Sequence, residues 1–439
     1  MSEHAPVLPA VERETFRSAL AAGQAPPEIA PSIQVGRRAE LIALKLDIDL
    51  VGASRASFRI IIGPVGSGKT QLVNTAAAMA VASGLVVAQA VITRDRRPHG
   101  TQGEPRNLLV ELIKRVRVKG NEPGTGLQHL LDCLWQRISA GNSITEKELA
   151  KLVRRHCKPL LALNKGDSLV QVLVTYFHSI QTGDDVTRDK ALSWMRAQCV
   201  SVQEAKRVLG ISTIIDGSDF HDYLKLLAAL ARLAGFSGLM VCLDEMGTLC
   251  NLPQPNLRRA NFEVIHTLID DCHQGRSPGL GVIMAGTTDF LEHRDRGLYS
   301  YEPLSTRLGS VGAGPSSVNN SGGPVIRLQR LSNEEFLLLL HRVRDLLSDH
   351  GTSQPCLPDD ALLALLKLSL NTIGAKEFLD PRQLLRHLAH LVLALEQNPD
   401  KNWKELLGVS SDFQKERPIA NLSAPAPVSA INELENLKL

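Results

Sequence analysis

The residues in this chain with the most specific chemistry are Gly63, Pro64, Val65, Gly66, Ser67, Gly68, Lys69 and Thr70. They fit the phosphate-binding pattern G-x-x-x-x-G-K-[ST] at every position. Glycines in such a loop let successive backbone N–H groups turn toward one point. A helix N-terminus behind them adds partial positive charge there. The pattern predicts a nucleoside triphosphate, ATP, in the cradle, with Gln71 behind it at the start of the helix. Lys69 would sit on the β- and γ-phosphates and the Thr70 hydroxyl on Mg²⁺.

A second set of polar residues ends apolar runs farther along. Residues 239–243 are apolar and are followed by Asp244 and Glu245. Downstream of a phosphate loop, that order predicts Asp244 as a second holder of Mg²⁺, directly or through water. Glu245 would orient and deprotonate the attacking water. Thr287, with Thr288 close behind, ends the next run and is expected to contact the γ-phosphate and the lytic water. Arg307 stands where a neighbouring subunit's arginine finger would be expected, a task for a group that is always charged and forked. Arg382, opening a helix after Asp380 and Pro381, suits an arginine that reaches the nucleotide from a C-terminal lid.

These residues need a scaffold, and the hydrophobic pattern supplies one. Residues 58–62 read as a short strand, and 71–83 as a helix with Leu72, Ala76, Met79 and Ala80 on one face. Residues 85–92, 239–245, 279–288 and 325–328 read as further strands. The helix-length crossover from the first to the second predicts a right-handed βα unit and a parallel sheet. From 125 to about 209 the periodicity is helical with no convincing buried strand, an all-helical insertion within an α/β domain. The turn Val35, Gly36, Arg37, Arg38 precedes a helix, which is either where ATPases of the AAA+ class cradle adenine or an ordinary helix N-terminus. Ser332 to Glu335 form a capping box, opening a helical C-terminal part. The expected organisation is a flexible lead-in over 1–32 and a P-loop ATPase domain over 33–330, with its insertion at about 120–215. A helical C-terminal part over 331–415 and a flexible tail over 416–439 complete it.

Composition sets the limits. At 439 residues the chain exceeds one ordinary core. A formal net charge of +3 excludes a polycation, so nucleic-acid binding would need local patches. Two exist: Arg94, Arg96 and Arg97 with Lys114, Arg115, Arg117 and Lys119; and Lys147, Lys151, Arg154, Arg155 and Lys158. Each reads either as a solvated face or as a contact surface. Aromatics make up only 4%, too few for a base-stacking platform. Seven scattered cysteines without a C-x-x-C pair speak against zinc and disulfides and for a reducing compartment. The first residues include acids and lack a signal-peptide apolar region, and no apolar run approaches the ~20 residues of a membrane helix. The expected location is cytoplasmic, with no membrane partner.

The order of parts is itself a signature. The P-loop is followed by an insert ending in Ala191 to Arg196, with Trp194 and Met195, and in Glu204 to Gly210. Then come Gly235 to Glu245, Ala285 to Phe290 and Arg296 to Glu302 with its Tyr299-Ser300-Tyr301 core. This resembles the ATP-binding proteins of bacterial BREX-type phage-defence clusters, the BrxD family, over roughly residues 33–397. The resemblance implies an AAA+ ATPase related to the origin-recognition branch, with a C-terminal lid and a winged-helix domain. It also implies DNA as a partner, a superfamily 2 helicase encoded nearby, and assembly into a homo-oligomer on ATP or DNA. The leading expectation is an ATP-driven motor or switch that loads or regulates a partner on DNA. Its rival is a nucleotide-gated signalling scaffold that binds protein partners without holding DNA. A small-molecule kinase is disfavoured, since nothing resembles an acceptor pocket.

Overall fold

In the computed structural model the described residues are 8–120, 124–140, 144–309, 323–348, 356–371 and 379–408. Most of the Gly/Ser/Asn-rich stretch before residue 324, and the tail expected from 416, lie outside them. The chain divides into two compact units. One comprises Met1–Ile42, Gly63–Ala78 and Leu328–Leu439; the other comprises Ala43–Ile62 and Met79–Arg327.

The larger unit is built on five parallel strands: β1 (Ser57–Ile62), β2 (Val86–Val91), β3 (Leu239–Asp244), β4 (Leu280–Gly286) and β5 (Val325–Arg327). Their order across the sheet is β2-β3-β4-β1-β5. Every residue of β1, β3 and β4 is buried, as expected of central parallel strands covered on both faces. The register sets the carboxyl edge. Asp244, the last residue of β3, pairs with Val91, while Gly286, the last of β4, pairs with Ile62 at the end of β1. Asp244 and Thr287 therefore leave that edge from adjacent strands. The α/β class with a parallel sheet and helical flanks is as the sequence predicts.

The insertion is helical throughout its described length, from Gly126–Ser139 to Val202–Leu209. It is not a separate body. Leu131, Leu134, Val153, Leu173 and Trp194 belong to the same continuous core as Val241 and Leu243 of β3. The Trp194 motif is structural. The indole is fully buried and its Nε1–H donates to the Thr213 carbonyl at 2.9 Å. Tyr223, also buried, donates its hydroxyl to the Met195 carbonyl.

In the other unit the helix Ala10–Ala21 buries Phe16 and Leu20. They share a core with Ile33 and Val35 and with Phe336, Leu340, Leu362 and Leu388 of the C-terminal helices. The segment expected as a loosely attached lead-in thus carries part of a core. Its two large apolar residues sit four apart, on one face of a helix whose other positions are mostly exposed. Among the described residues this unit contains no strand, so no wing is seen there.

Candidate nucleotide-binding site

The P-loop lies in the smaller unit. Gly66 and Gly68 have φ of 77° and 84°, the left-handed region that side chains disfavour. A Cβ on Gly68 would meet nothing within 4 Å, so glycine is needed there for backbone shape and leaves an open approach. Gly63 is constrained differently. A Cβ there would lie 2.6 Å from Ser67 Oγ and 2.9 Å from the Leu328 carbonyl. Ser67 is fully buried, and its Oγ has no hydrogen-bond partner among the described residues. Lys69 Nζ donates to the Gly63 and Pro64 carbonyls at 3.0 and 2.9 Å, which folds the side chain back over the loop. Val65 projects outward, 65% exposed. The helix Lys69–Ala82 begins at the lysine itself, so its first turn includes Thr70 and Gln71.

The loop is braced by the segment around residues 30–37. Gln71 Nε2 donates to the Ala30 carbonyl at 2.6 Å, and Thr75 Oγ1 to Gln34 Oε1 at 3.2 Å. Arg37 has φ of 67° although it is not glycine, a conformation that costs about 1–2 kcal/mol. Its largely buried guanidinium donates to the Ser67 carbonyl at 3.1 Å and to the Gln329 carbonyl, with Glu40 at 3.8 Å. The sequence marks this turn as an adenine cradle or a helix start. In the structure the helix Arg38–Gly52 does start at this turn, and Arg37 is in addition a strut to the P-loop. No sequence pattern signals that role, because the left-handed backbone that aims the side chain is unusual for arginine. Gly36 beside it has no room for a side chain: a Cβ would lie 2.2 Å from Glu335 Oε1.

The larger unit gathers a second set at the carboxyl edge of the sheet. Asp244 is 9% exposed, and its Oδ1 accepts the Glu245 N–H at 2.7 Å. Glu245 is exposed and left-handed, with φ of 58°. That conformation turns the chain off the end of β3 into the 3-10 helix Met246–Asn251. Gly247 follows, and a Cβ on it would meet Thr287 Oγ1 at 3.2 Å. Asp244, Glu245 and Thr287 are thus brought together at one edge, with only a glycine between the turn and the threonine.

Arg307 is not part of that group. It lies on the short helix Glu302–Leu308, and its Nε donates to Asp270 Oδ1 at 2.7 Å. That hydrogen bond holds the Asp270 carboxyl below its ordinary range and the Arg307 guanidinium above its own. Tyr301, from the motif that helps carry the resemblance, lies edge-on to His266 and under the Arg259 guanidinium at 5.5 Å. Arg382 is the second residue of the helix Pro381–Gln397 and is exposed. Its backbone N–H is capped by Asp380 Oδ1 at 3.0 Å, and among the described residues no hydrogen bond joins it to the P-loop.

Thr70 in one unit and Asp244 in the other each carry a hard oxygen, the donor type that Mg²⁺ takes. Among the described residues there is no cluster of three or more His, Cys, Asp or Glu side chains that would form a self-contained metal cage. No helix of the described residues is long and apolar enough to cross a membrane.

The family model described as BREX system ATP-binding protein BrxC/D aligns with residues 8–411, most of the chain. No curated protein matches it.

Proposed function

The chain belongs to the family of BREX system ATP-binding proteins BrxC/D, and from that premise we propose that it hydrolyses the ATP it binds. The observation that carries this reading is the pairing of a complete P-loop with a strand that ends in Asp244 and Glu245. In this reading the loop N–H groups and Lys69 hold the β- and γ-phosphates. Thr70 and Asp244 would hold Mg²⁺, which would supply positive charge to neutralise the charge that develops on the phosphates. Glu245, exposed at its turn, accepts the proton of the attacking water. Thr287 orients that water and reads the presence of the γ-phosphate. Lys69 exchanges its loop carbonyls for phosphate oxygens as nucleotide enters.

The same proposal assigns Arg307 as a finger acting on the nucleotide of a neighbouring copy. Arg307 would exchange its Asp270 partner for phosphate when copies assemble. Arg382 would report nucleotide state to the C-terminal helices. The work done would be on DNA, loading or regulating a helicase partner.

Steady-state ATP hydrolysis with and without duplex DNA is the test, with Lys69→Ala as the blank. Hydrolysis absent in the blank and raised by DNA is the expected result. A Glu245→Gln variant should bind ATP as tightly as the parent while losing roughly 10²–10⁴-fold in turnover, the span usual for a general base. A Glu245→Gln variant that hydrolyses at the parent rate would refute the assignment of the base.

A further inference from the structure

The two basic clusters have different fates in the folded chain. In the first, Arg97 is buried against Glu104 at 2.5 Å, and Arg96 reaches Glu111 at 3.4 Å. Arg115 also pairs with Glu111, at 2.5 Å, and Arg117 donates to Gln89 Oε1. Four of its seven cations are therefore engaged within the fold.

The second cluster lies on the helix Glu146–His156 and its exit, within the larger unit. Leu149 and Val153 are buried on one side of this helix. Lys147, Lys151, Arg154 and Arg155, spaced by four, three and one, fall within about a 100° arc on the opposite side. Lys158 extends the row past the helix end, and all five are exposed. The two acids of this helix make their hydrogen bonds elsewhere, although the Lys151 charge also acts on Glu148. Glu146 bonds His178 at 3.0 Å, and Glu148 closes the capping box with Thr145 at 2.7 Å. Among the described residues Lys147, Lys151, Arg155 and Lys158 form no ion pair, and Arg154 meets only the neutral amide of Gln171, at 2.5 Å. At 1.5 Å per residue the row spans about 16 Å. A duplex strand presents a phosphate about every 3.4 Å of axis, so the row covers about five base pairs.

We propose that this row, Lys147, Lys151, Arg154, Arg155 and Lys158, is the surface through which the insertion grips the phosphate backbone of a nucleic-acid duplex. A linear, regularly spaced array of long flexible cations matches a linear polyanion. It offers no aromatic face for unpaired bases, which favours a duplex over a single strand. The inference names the contact surface for the DNA-directed reading above, and rests on that reading only for the identity of the polyanion.

The test is fluorescence anisotropy of a labelled DNA duplex titrated with the full chain, without nucleotide, across a salt series. The triple variant Lys147→Glu, Lys151→Glu, Arg155→Glu should weaken binding by roughly a hundredfold and lower the salt slope by about 3. The corresponding Gln variant should show an intermediate loss, and both should keep the parent's melting temperature. Unchanged affinity in the Glu variant, or a parent chain that binds no duplex, would overturn the proposal. So would competition by polyglutamate at equal charge concentration that matches unlabelled duplex, because the row would then be a general polyanion surface. Fluorescent-ATP binding by the same variant separates the two readings. Intact nucleotide binding with lost duplex binding supports the row, whatever the hydrolysis rate proves to be.

Discussion

Two stretches of this chain look alike as strings of Lys and Arg and become opposite things in three dimensions. Around residues 94–117 Arg97 turns inward against Glu104, and Arg96, Arg115 and Arg117 are matched by Glu111 and Gln89. Along Glu146–His156 the cations point outward, and the nearby acids are committed to capping and to His178. A basic cluster is therefore informative about binding only after its internal partners have been found. Cations engaged internally hold the fold together. Cations left over are available to something else.

The largest effect that would break this contrast is at the buried pair. Arg97→Ala leaves the Glu104 carboxylate buried without its cation and should cost about 3–5 kcal/mol in equilibrium denaturation. A midpoint unchanged from the parent would show that the inward cluster is not structural. The same pair has a pH signature. Burial alone would push the Glu104 carboxyl up. The backbone N–H groups of Glu104 and Gln102 and the Arg97 guanidinium outweigh it, and its pKa lies below the ordinary 4.5. A depressed folded value means that the stabilisation is complete above the unfolded pKa and lost as pH falls through the folded one. Relative to Glu104→Gln, the parent should thus lose stability below about pH 4.5, as read by melting temperature across an acid series.

Arg37 extends the contrast to the other unit as a largely buried, internally engaged cation. Arg37→Ala removes its charge-assisted bonds to the Ser67 and Gln329 carbonyls and should cost about 1–3 kcal/mol. It should also weaken ATP binding, because the strut beneath the P-loop is gone. A fluorescent-nucleotide titration equal to the parent would confine Arg37 to stability alone. Arg307 is intermediate, paired but exposed, so Asp270→Asn should change stability by less than about 1 kcal/mol. A larger loss in denaturation would mean that this pair is a structural clasp. The smallest effect belongs to the outward row: Lys151→Ala should stay within about 0.5 kcal/mol of the parent. A greater loss would place that face among the packed surfaces and undercut its availability.

Much of the fold was legible because it is written in local pattern. The strand 239–244 is legible almost to its ends from its apolar run. The helix Glu104–Lys114 is less so, because it starts after a left-handed Gly103 with Pro105 in its first turn, inside a stretch rich in Arg and Gly. The P-loop was legible because its chemistry is contiguous. The Arg37 strut was not, since its partners at Ser67 and Gln329 are 30 and 292 residues away. The inward turn of Arg97 was missed for a different reason. Glu104 is only seven residues distant, but nothing in the sequence shows that both side chains are buried. The strand order was likewise beyond reach, because β1 lies between β4 and β5 through pairings that join the two ends of a long excursion.

The core containing Phe16 and Leu20 sets a schedule for biosynthesis. Arg17 pairs with Glu396, 379 positions later, and Phe16 shares its core with Leu388 on the same late helix. At about 5–20 residues per second, translation leaves the apolar face of the first helix without its final cover for roughly 20–75 s. During that interval the P-loop segment, already made, also lacks the C-terminal residues with which it clusters. Nucleotide is thus offered a finished cradle only after nearly the whole chain has emerged. A ribosome-stalled fragment ending before Pro381 would be a natural client for chaperones.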